Sequence, residues 1–353
     1  MTLSYMPRFS VIMPLFNKAP YVRKAVESVV RQTYRNWELI VVDDGSTDGG
    51  GDMVATIADP RIRLVRQENS GVSVARNQGV AMAGTRADHR DDIHTTPAAS
   101  EATDASSRAA AQAPPPYLCF LDADDWWEPT FLEEMAAIIE RHPDAGIYGT
   151  NYWIVKNGRR RLAPIGVDDG FTEGEINYFQ VYARTLCMPL TSISVCIPAN
   201  VFYEAEGFPT GIKLGEDFLL WARITLKHKV VFLNKPLCSY NQDVDTTYRG
   251  THHLRDPREH MLWNLDNQED EEKSNPDYKQ LIDNLRCYSL MNYLLDHRYR
   301  NAARTELAKV DWSRQPAKTR RLYRWPVWLL KTRMRVLTIG SYFKQHIISL
   351  RTH

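Results

Sequence analysis

A chain of 353 residues can hold one large domain or two, with a sizeable hydrophobic core in either case. Its 43% apolar and 25% charged residues are ordinary for a soluble globular protein. A formal charge of +1 argues against a nucleic-acid footprint over the whole chain, so no nucleic-acid partner is expected.

Phe9-Ser-Val-Ile-Met-Pro14 reads as a first buried strand, and Leu15-Phe16-Asn17-Lys18 as the loop leaving its C-terminal end. Tyr21 to Gln32 places Val22, Ala25, Val26, Val29 and Val30 at helical spacing. Trp37-Glu-Leu-Ile-Val-Val42 predicts a second strand running straight into Asp43-Asp44-Gly45-Ser46-Thr47-Asp48. A helix over Gly49 to Ala58, a strand over Arg61 to Val65 and a helix over Val72 to Ala83 follow. Thr85 to Pro116 then breaks the pattern. It is rich in Ala, Thr, Ser, Asp and Pro, and such a composition cannot bury enough surface to order itself. It reads as a disordered surface insertion; the alternative is a lid that orders over a site.

Tyr117 to Leu121 is a short apolar strand that ends in Asp122, Asp124 and Asp125. Trp126, Trp127 and Trp153 read as core rather than as ligand platforms. Pro129 to Arg141 is an amphipathic helix, Ala145 to Val155 a strand, and Asn157-Gly158 a hairpin signal. Glu173 to Thr185 reads as helical, Ser192 to Ile197 as a strand, and Pro198 opens a helix. Gly215-Glu216-Asp217 begins another helix, with Phe218, Trp221 and Leu226 on its apolar face. Val230 to Asn234 closes this unit as a strand.

Residues beyond Gly250 are expected to be helical and polar, with an acidic cluster at Glu269 to Glu272. From Arg314 to Arg351 basic residues interleave with aromatic and aliphatic ones. That stretch suits either the surface of an anionic membrane or a helix packed on the rest of the protein with its basic face in water. The expected organisation is a domain over 1–250, with 85–116 as an insertion, and a helical C-terminal extension over 251–353.

Strands alternating with helices predict an α/β fold, a mostly parallel sheet flanked by helices, with mixed strand directions in the second half. Ligands bind such sheets outside the carboxyl ends of the strands, where Phe16-Asn17, Asp43-Asp44 and Asp122 to Asp125 arrive. Five scattered cysteines without a CxxC pair suit reduced thiols in a cytoplasm. Phe9 to Leu15 is too short for a signal sequence, and no apolar run approaches the length needed to span a bilayer. A cytoplasmic location, or a peripheral one on the inner face of the cell membrane, is the expectation.

Three carboxylates at the end of a buried strand repel one another, and a divalent cation with oxygen ligands would offset them. The competing reading is that they cap the helix after Pro129. The chain has no Walker loop and no GxGxxG after a strand, so phosphates would be neutralised by a metal on acids. Asp44 could accept a hydrogen bond from the imide N–H of a uracil, with Phe16 stacked on the base; an Asx-type turn over Asp43 to Ser46 is the plainer alternative. Arg76 could reach a diphosphate or serve as a capping group. Asp217 could act as a general base on an acceptor hydroxyl, or simply favour a helix start.

Taken together, Ser10 to Asn17, Val41 to Asp48, Ser70 to Asn77, Phe120 to Asp125 and Gly215-Glu-Asp217 resemble the family 2 glycosyltransferases of the GT-A fold, over roughly Phe9 to Tyr240. The resemblance implies that Pro14, Phe16, Asp44 and Asp43 hold a nucleoside and that Arg76 contacts the nucleotide. It also implies that Asp122-Ala123-Asp124 is a DXD element, Asp124 being the direct metal ligand with Asp122 beside it, and that Asp217 is the catalytic base. The implied reaction is transfer from a nucleotide sugar, a UDP-sugar by expectation, with inversion and with Mn²⁺ or Mg²⁺ as cofactor. The implied acceptor is a glycan or lipid-linked molecule of surface polysaccharide assembly.

The sequence departs from the family after its last core strand, where Ser239 to Asp245 carries no Arg-x-His element and His252 or His253 is a weak substitute. No QxxRW element is evident, so transfer of single sugars is expected. The competing functional readings are a nucleotidyltransferase and a nucleotide-sugar-binding scaffold without turnover.

Overall fold

Alternate residues of the first strands supply two separate cores, as the two-residue period of a strand requires. Phe9, Val11, Met13 and Leu15 face one core, while Ile12 faces the other; Cys119 and Leu121 divide from Leu118 and Phe120 in the same way. The computed structural model of the protein describes residues 6–83, 116–244, 254–265 and 269–333. Residues 85–115 of the expected insertion, His252 and His253, and the basic stretch after Arg333 lie outside the described residues.

Among the described residues ten strands form one sheet: β1 (Phe9–Leu15), β2 (Trp37–Asp44), β3 (Ile62–Gln67), β4 (Tyr117–Phe120), β5 (Trp126–Trp127), β6 (Ile147–Lys156), β7 (Arg159–Leu162), β8 (Glu173–Ile176), β9 (Val195–Pro198) and β10 (Val230–Asn241). The main order is β3-β2-β1-β4-β9-β6-β10-β5, with β7 on β6 and β8 on β10. Strand β1 pairs in parallel with β2 and β4, β2 with β3, and β6 with β10. Strand β9 runs antiparallel between β4 and β6. Six strands therefore point the same way, and their carboxyl ends share one edge.

One face is covered by the helices Ala19–Val30, Gly50–Ala55 and Phe131–Arg141, which bring Val22, Val54 and Met135 to the first core. The other face carries Tyr178–Thr185, Glu216–Thr225 and the C-terminal helices Pro276–Leu295 and Arg300–Ala308 in one continuous cluster. The acidic stretch at Glu269 to Glu272 is partly structural. Glu272 receives the buried guanidinium of Arg286 at 2.6 and 2.8 Å, and Glu306 takes its Nε at 3.3 Å.

Three expectations shift. Glu173 to Ile176 is not helical but a strand paired antiparallel with Val230 to Leu233; the helix begins only at Tyr178, where the Asn177 side chain accepts from the Gln180 N–H at 3.1 Å. Edge pairing outweighs helical spacing there. Thr191 and Ser194 cap each other around a 3₁₀ turn over Ser192–Ser194, so that strand starts at Val195. The last strand runs on to Asn241, because register shifts around Pro236 absorb the missing N–H and let β10 bend. The Asn157-Gly158 hairpin forms as expected, both residues having φ near +60°. Trp127 is core, stacked on Phe131 at 4.1 Å between ring centroids. Among the described residues no helix is long and apolar enough to cross a membrane.

Candidate active site

The loops at the carboxyl edge are sewn together by short polar side chains. The Asn17 carboxamide oxygen accepts from the Thr47 N–H at 2.9 Å, and Ser46 Oγ accepts from the Asn17 N–H at 3.1 Å. Asp48 accepts from the Ala19 N–H at 2.8 Å and so caps the first helix from a neighbouring loop. These contacts hold Phe16 at the edge of a cleft with 46% of its surface exposed.

Asp43 and Asp44 do different jobs. Asp43 Oδ1 accepts from the Ser46 N–H at 3.0 Å, closing a turn, and its side chain does not line the cleft. Asp44 lines it, yet its carboxylate already accepts from Gln67 Nε2 at 2.7 Å, Ser70 N at 2.8 Å and Gly71 N at 2.9 Å. A carboxylate has about four acceptor positions, which leaves one for a ligand. The Asx-turn alternative thus describes Asp43, while Asp44 shapes the loop over 69–71 and faces the cleft.

The acidic loop after β4 meets the helix that starts at Glu216 through one buried arginine. Arg76 Nη2 donates to Asp122 Oδ1 at 2.8 Å, and its Nη1 donates to Glu216 Oε1 at 3.1 Å. Burial would lower the affinity of this guanidinium for its proton, but the charges of Asp122 and Glu216 outweigh it, and the net shift is upward. Lys18 Nζ lies 2.5 Å from Asp124 Oδ2. Asp124 is nevertheless shifted upward, by burial first and by Asp122 as well, against the pull of Lys18. Asp125 is tied to the end of β10, accepting from the Asn241 N–H at 2.6 Å. Burial, then Asp124 and Asp122, push its carboxyl well above the usual range.

The cleft bounded by these groups has a volume of about 540 Å³. Pro14, Phe16, Asp44, Arg76, Asp122 and Asp124 all line it, so six of the residues singled out in the sequence converge on one cavity. Asp217 does not line it; Glu216 does. Asp217 is half-buried beside Glu216, and its carboxylate accepts a hydrogen bond from the Phe218 N–H at 2.7 Å. Its pKa is raised to about 7 by burial and then by the Glu216 charge, with Arg76 acting in the opposite direction.

Residues that sequence reasoning did not assign also border the cleft, among them Lys18, Lys213, Tyr240, Asn241 and Arg255. Lys18 carried a positional signal, following a strand exit; Lys213 and Arg255 carried none. They arrive because the segment over 254–265 is laid along the Lys213–Gly215 loop. The Lys213 and Leu214 N–H groups donate to the Glu259 carbonyl at 2.8 and 3.1 Å, and the Met261 N–H donates to the Leu214 carbonyl at 3.0 Å. Gly215 has φ +84°, and a Cβ there would come within 2.4 Å of Met261 Sδ, so glycine is needed on both counts.

The donor set fits a hard divalent cation. Asp122 and Asp124 offer carboxylate oxygens to the same cleft, and burial leaves Asp124 short of positive charge despite Lys18. Among the described residues there is no group of three ligating side chains, so the remaining coordination positions would fall to water or phosphate oxygens, as is usual for Mg²⁺.

Residues 10–87 and 97–208, more than half of the chain, match the profile of glycosyl transferase family 2. The chain belongs to glycosyl transferase family 2. Glycosyltransferase GlyA of Streptococcus pneumoniae serotype 4 is 28% identical over 244 residues, which are 66% of this chain and 30% of GlyA. An uncharacterized glycosyltransferase of Rickettsia felis is 26% identical over 256 residues, 72% of this chain and 35% of that protein. The chain thus spans about a third of the length of these curated relatives. Residues 1–349 of S. aureus TarS, crystallised with UDP-GlcNAc, are similar in fold with a TM-score of 0.51 at 18% identity, covering 86% of this chain and 71% of that one. The sheet with its flanking helices is of the GT-A type.

Proposed function

We propose that this glycosyltransferase moves a single sugar from a UDP-sugar to a hydroxyl of a glycan or lipid-linked acceptor, with inversion and with Mn²⁺ or Mg²⁺ bound at Asp122 and Asp124. One observation carries the reading: Arg76 ties the acidic loop after β4 to the helix start that bears Asp217, so donor acids and base belong to one rigid frame. Pro14 and Phe16 offer an apolar surface to a nucleobase, and the remaining acceptor position of Asp44 suits a uracil N–H. Lys18, Lys213 and Arg255 border the cleft where a diphosphate needs cations. Lys213 and Arg255 thereby stand in for the missing Arg-x-His element. When bound, the divalent ion supplies positive charge against the departing diphosphate.

Asp217 takes the proton of the acceptor hydroxyl as the acceptor oxygen bonds to the anomeric carbon and the bond from that carbon to the diphosphate oxygen breaks. A pKa of about 7 suits a base working near neutrality. Glu216 is less suited, because Arg76 already occupies one of its oxygens. A single in-line displacement needs no enzyme nucleophile. TarS, solved with UDP-GlcNAc on a similar fold, supports the UDP class. The scattered cysteines motivate a cytoplasmic setting, and surface polysaccharide assembly is the pathway class proposed.

Thermal unfolding of the protein with a panel of nucleotide sugars, with and without Mn²⁺ or Mg²⁺, tests this directly. Metal-dependent stabilisation by a UDP-sugar is expected, since a ligand bound to the native state raises stability. Stabilisation by GDP-sugars alone would overturn the donor class, and identical shifts with chelator present would overturn the metal.

A further inference from the structure

Another cavity of this size lies in the C-terminal extension and shares no lining residue with the acidic cleft. It is a groove of about 540 Å³ between the helix Arg300–Ala308, Trp312 and the segment from Arg320 to Val327. Its floor is apolar, with Leu294 and Leu307 nearly buried. Trp312 and Tyr323 form one wall, their rings 5.3 Å apart, and Tyr323 Oη is anchored by donating to the Cys287 carbonyl at 2.7 Å. Three arginines border the groove: Arg304, Arg320 and Arg324. Two other arginines of the extension are matched to acids, Arg286 to Glu272 and Arg298 to Asp296. Among the described residues no ion pair is recorded for the three that border the groove.

We propose that this groove binds the phosphate headgroup of an anionic phospholipid and seats the extension on an anionic bilayer. The partner has to be negative, because the cavity concentrates guanidinium groups and no carboxylate lines it. The stretch that walls the groove and runs on from it carries no such charge. From Ala317 to His353 there are nine lysines and arginines and no acid. A free anion would satisfy the arginines but not the apolar floor, nor the neighbouring indoles. Trp325 and Trp328 stand 40% and 68% exposed next to the same segment. Tryptophans beside arginines suit the headgroup zone of a membrane, where one side of the ring is apolar and the other wet. Guanidinium forks match the paired oxygens of a phosphodiester. The inference does not rest on the donor reading, because no residue of the groove lines the nucleotide cleft.

The test uses the full chain and vesicles of phosphatidylcholine, with or without about one third phosphatidylglycerol, read by co-sedimentation and by the blue shift of tryptophan emission. Binding is expected only to the anionic vesicles, and raising salt should weaken it. The triple variant Arg304→Gln, Arg320→Gln, Arg324→Gln should partition roughly 100-fold less, since each cation near an anionic surface contributes about fivefold. Trp325→Ala with Trp328→Ala provides a second variant with the charges intact, and weaker binding with a smaller blue shift is expected. Equal binding to both vesicle types, or either variant binding like the parent protein, would overturn the proposal. Full competition by millimolar inorganic phosphate would reassign the groove to a soluble anion and overturn the lipid. The thermal shift with nucleotide sugars, measured on the same variants, should not change, which separates this result from the fate of the donor reading.

Discussion

Arg76 and Glu216, 140 positions apart in the chain, meet at 3.1 Å, and the same guanidinium reaches Asp122 at 2.8 Å. Both carboxylates border the cleft while the arginine is almost fully buried. Such a charge is tolerated only because two acids face it, and the acids stay close only because the arginine lies between them.

Removing that cation should therefore be costly in two ways. Arg76→Met leaves Asp122, Glu216 and Asp217 uncompensated, and a loss of about 3–5 kcal/mol in unfolding free energy is expected for a broken buried pair. Urea unfolding measures it. A loss below about 1 kcal/mol would show that the acids relax into water and that the frame is not held by this residue.

Asp217→Asn should lower turnover by ~100-fold or more, the scale of lost general-base catalysis, while leaving affinity for the nucleotide sugar nearly intact. Steady-state kinetics with a separate donor-binding titration decides. Equal losses in both would move Asp217 from the base to the binding surface.

The same residue predicts a pH profile. With a pKa raised to about 7, Asp217 is protonated in acid and a poor base, so kcat/KM should climb with unit slope up to about pH 7 and then level. Stability runs the other way. The raised pKa means the folded state holds the proton more tightly than the unfolded one. The contribution is thus complete below the unfolded pKa of 3.8 and is lost as pH rises through about 7. Asp217→Asn should match the parent protein at pH 4 and melt higher by roughly 2 °C or more at pH 8.5.

Lys18 competes with any cation for Asp124, its Nζ being 2.5 Å from the carboxylate. Lys18→Met should tighten Mn²⁺ binding about fivefold, the scale of one partly exposed ion pair, and weaken donor binding if the ammonium also serves the diphosphate. Calorimetric titration with Mn²⁺ alone checks the first half without any turnover. Weaker Mn²⁺ binding would show that Lys18 supports the acidic loop rather than opposing a metal.

Much of this was legible in the residues. The alternation of apolar strands with amphipathic helices predicts the sheet, and strand exits carrying Phe16, Asp44 and Asp122 to Asp124 predict its working edge. The readings that failed share a cause. Glu173 to Ile176 has the composition of a helix start, but a partner strand more than fifty positions later claims it. The expected last strand ends at Asn234, short of Pro236, because the bulge that tolerates a proline depends on the paired strand. Asp43 and Asp44 are chemically equivalent as letters; strand pleating sends one into a turn and the other into the cleft.

By itself the sequence determined most of the order of elements and the edge at which chemistry gathers, because these rest on spacing within a few turns or one strand, while the family resemblance rested on its short motifs. Only the tertiary structure decided which cation faces which acid: Arg76 between Asp122 and Glu216, Lys18 on Asp124, and Lys213 and Arg255 carried to the cleft by a segment from beyond the last strand. Charge pairing has no periodicity along a chain. It depends on inverse distance in space, and that distance exists only once remote loops have met.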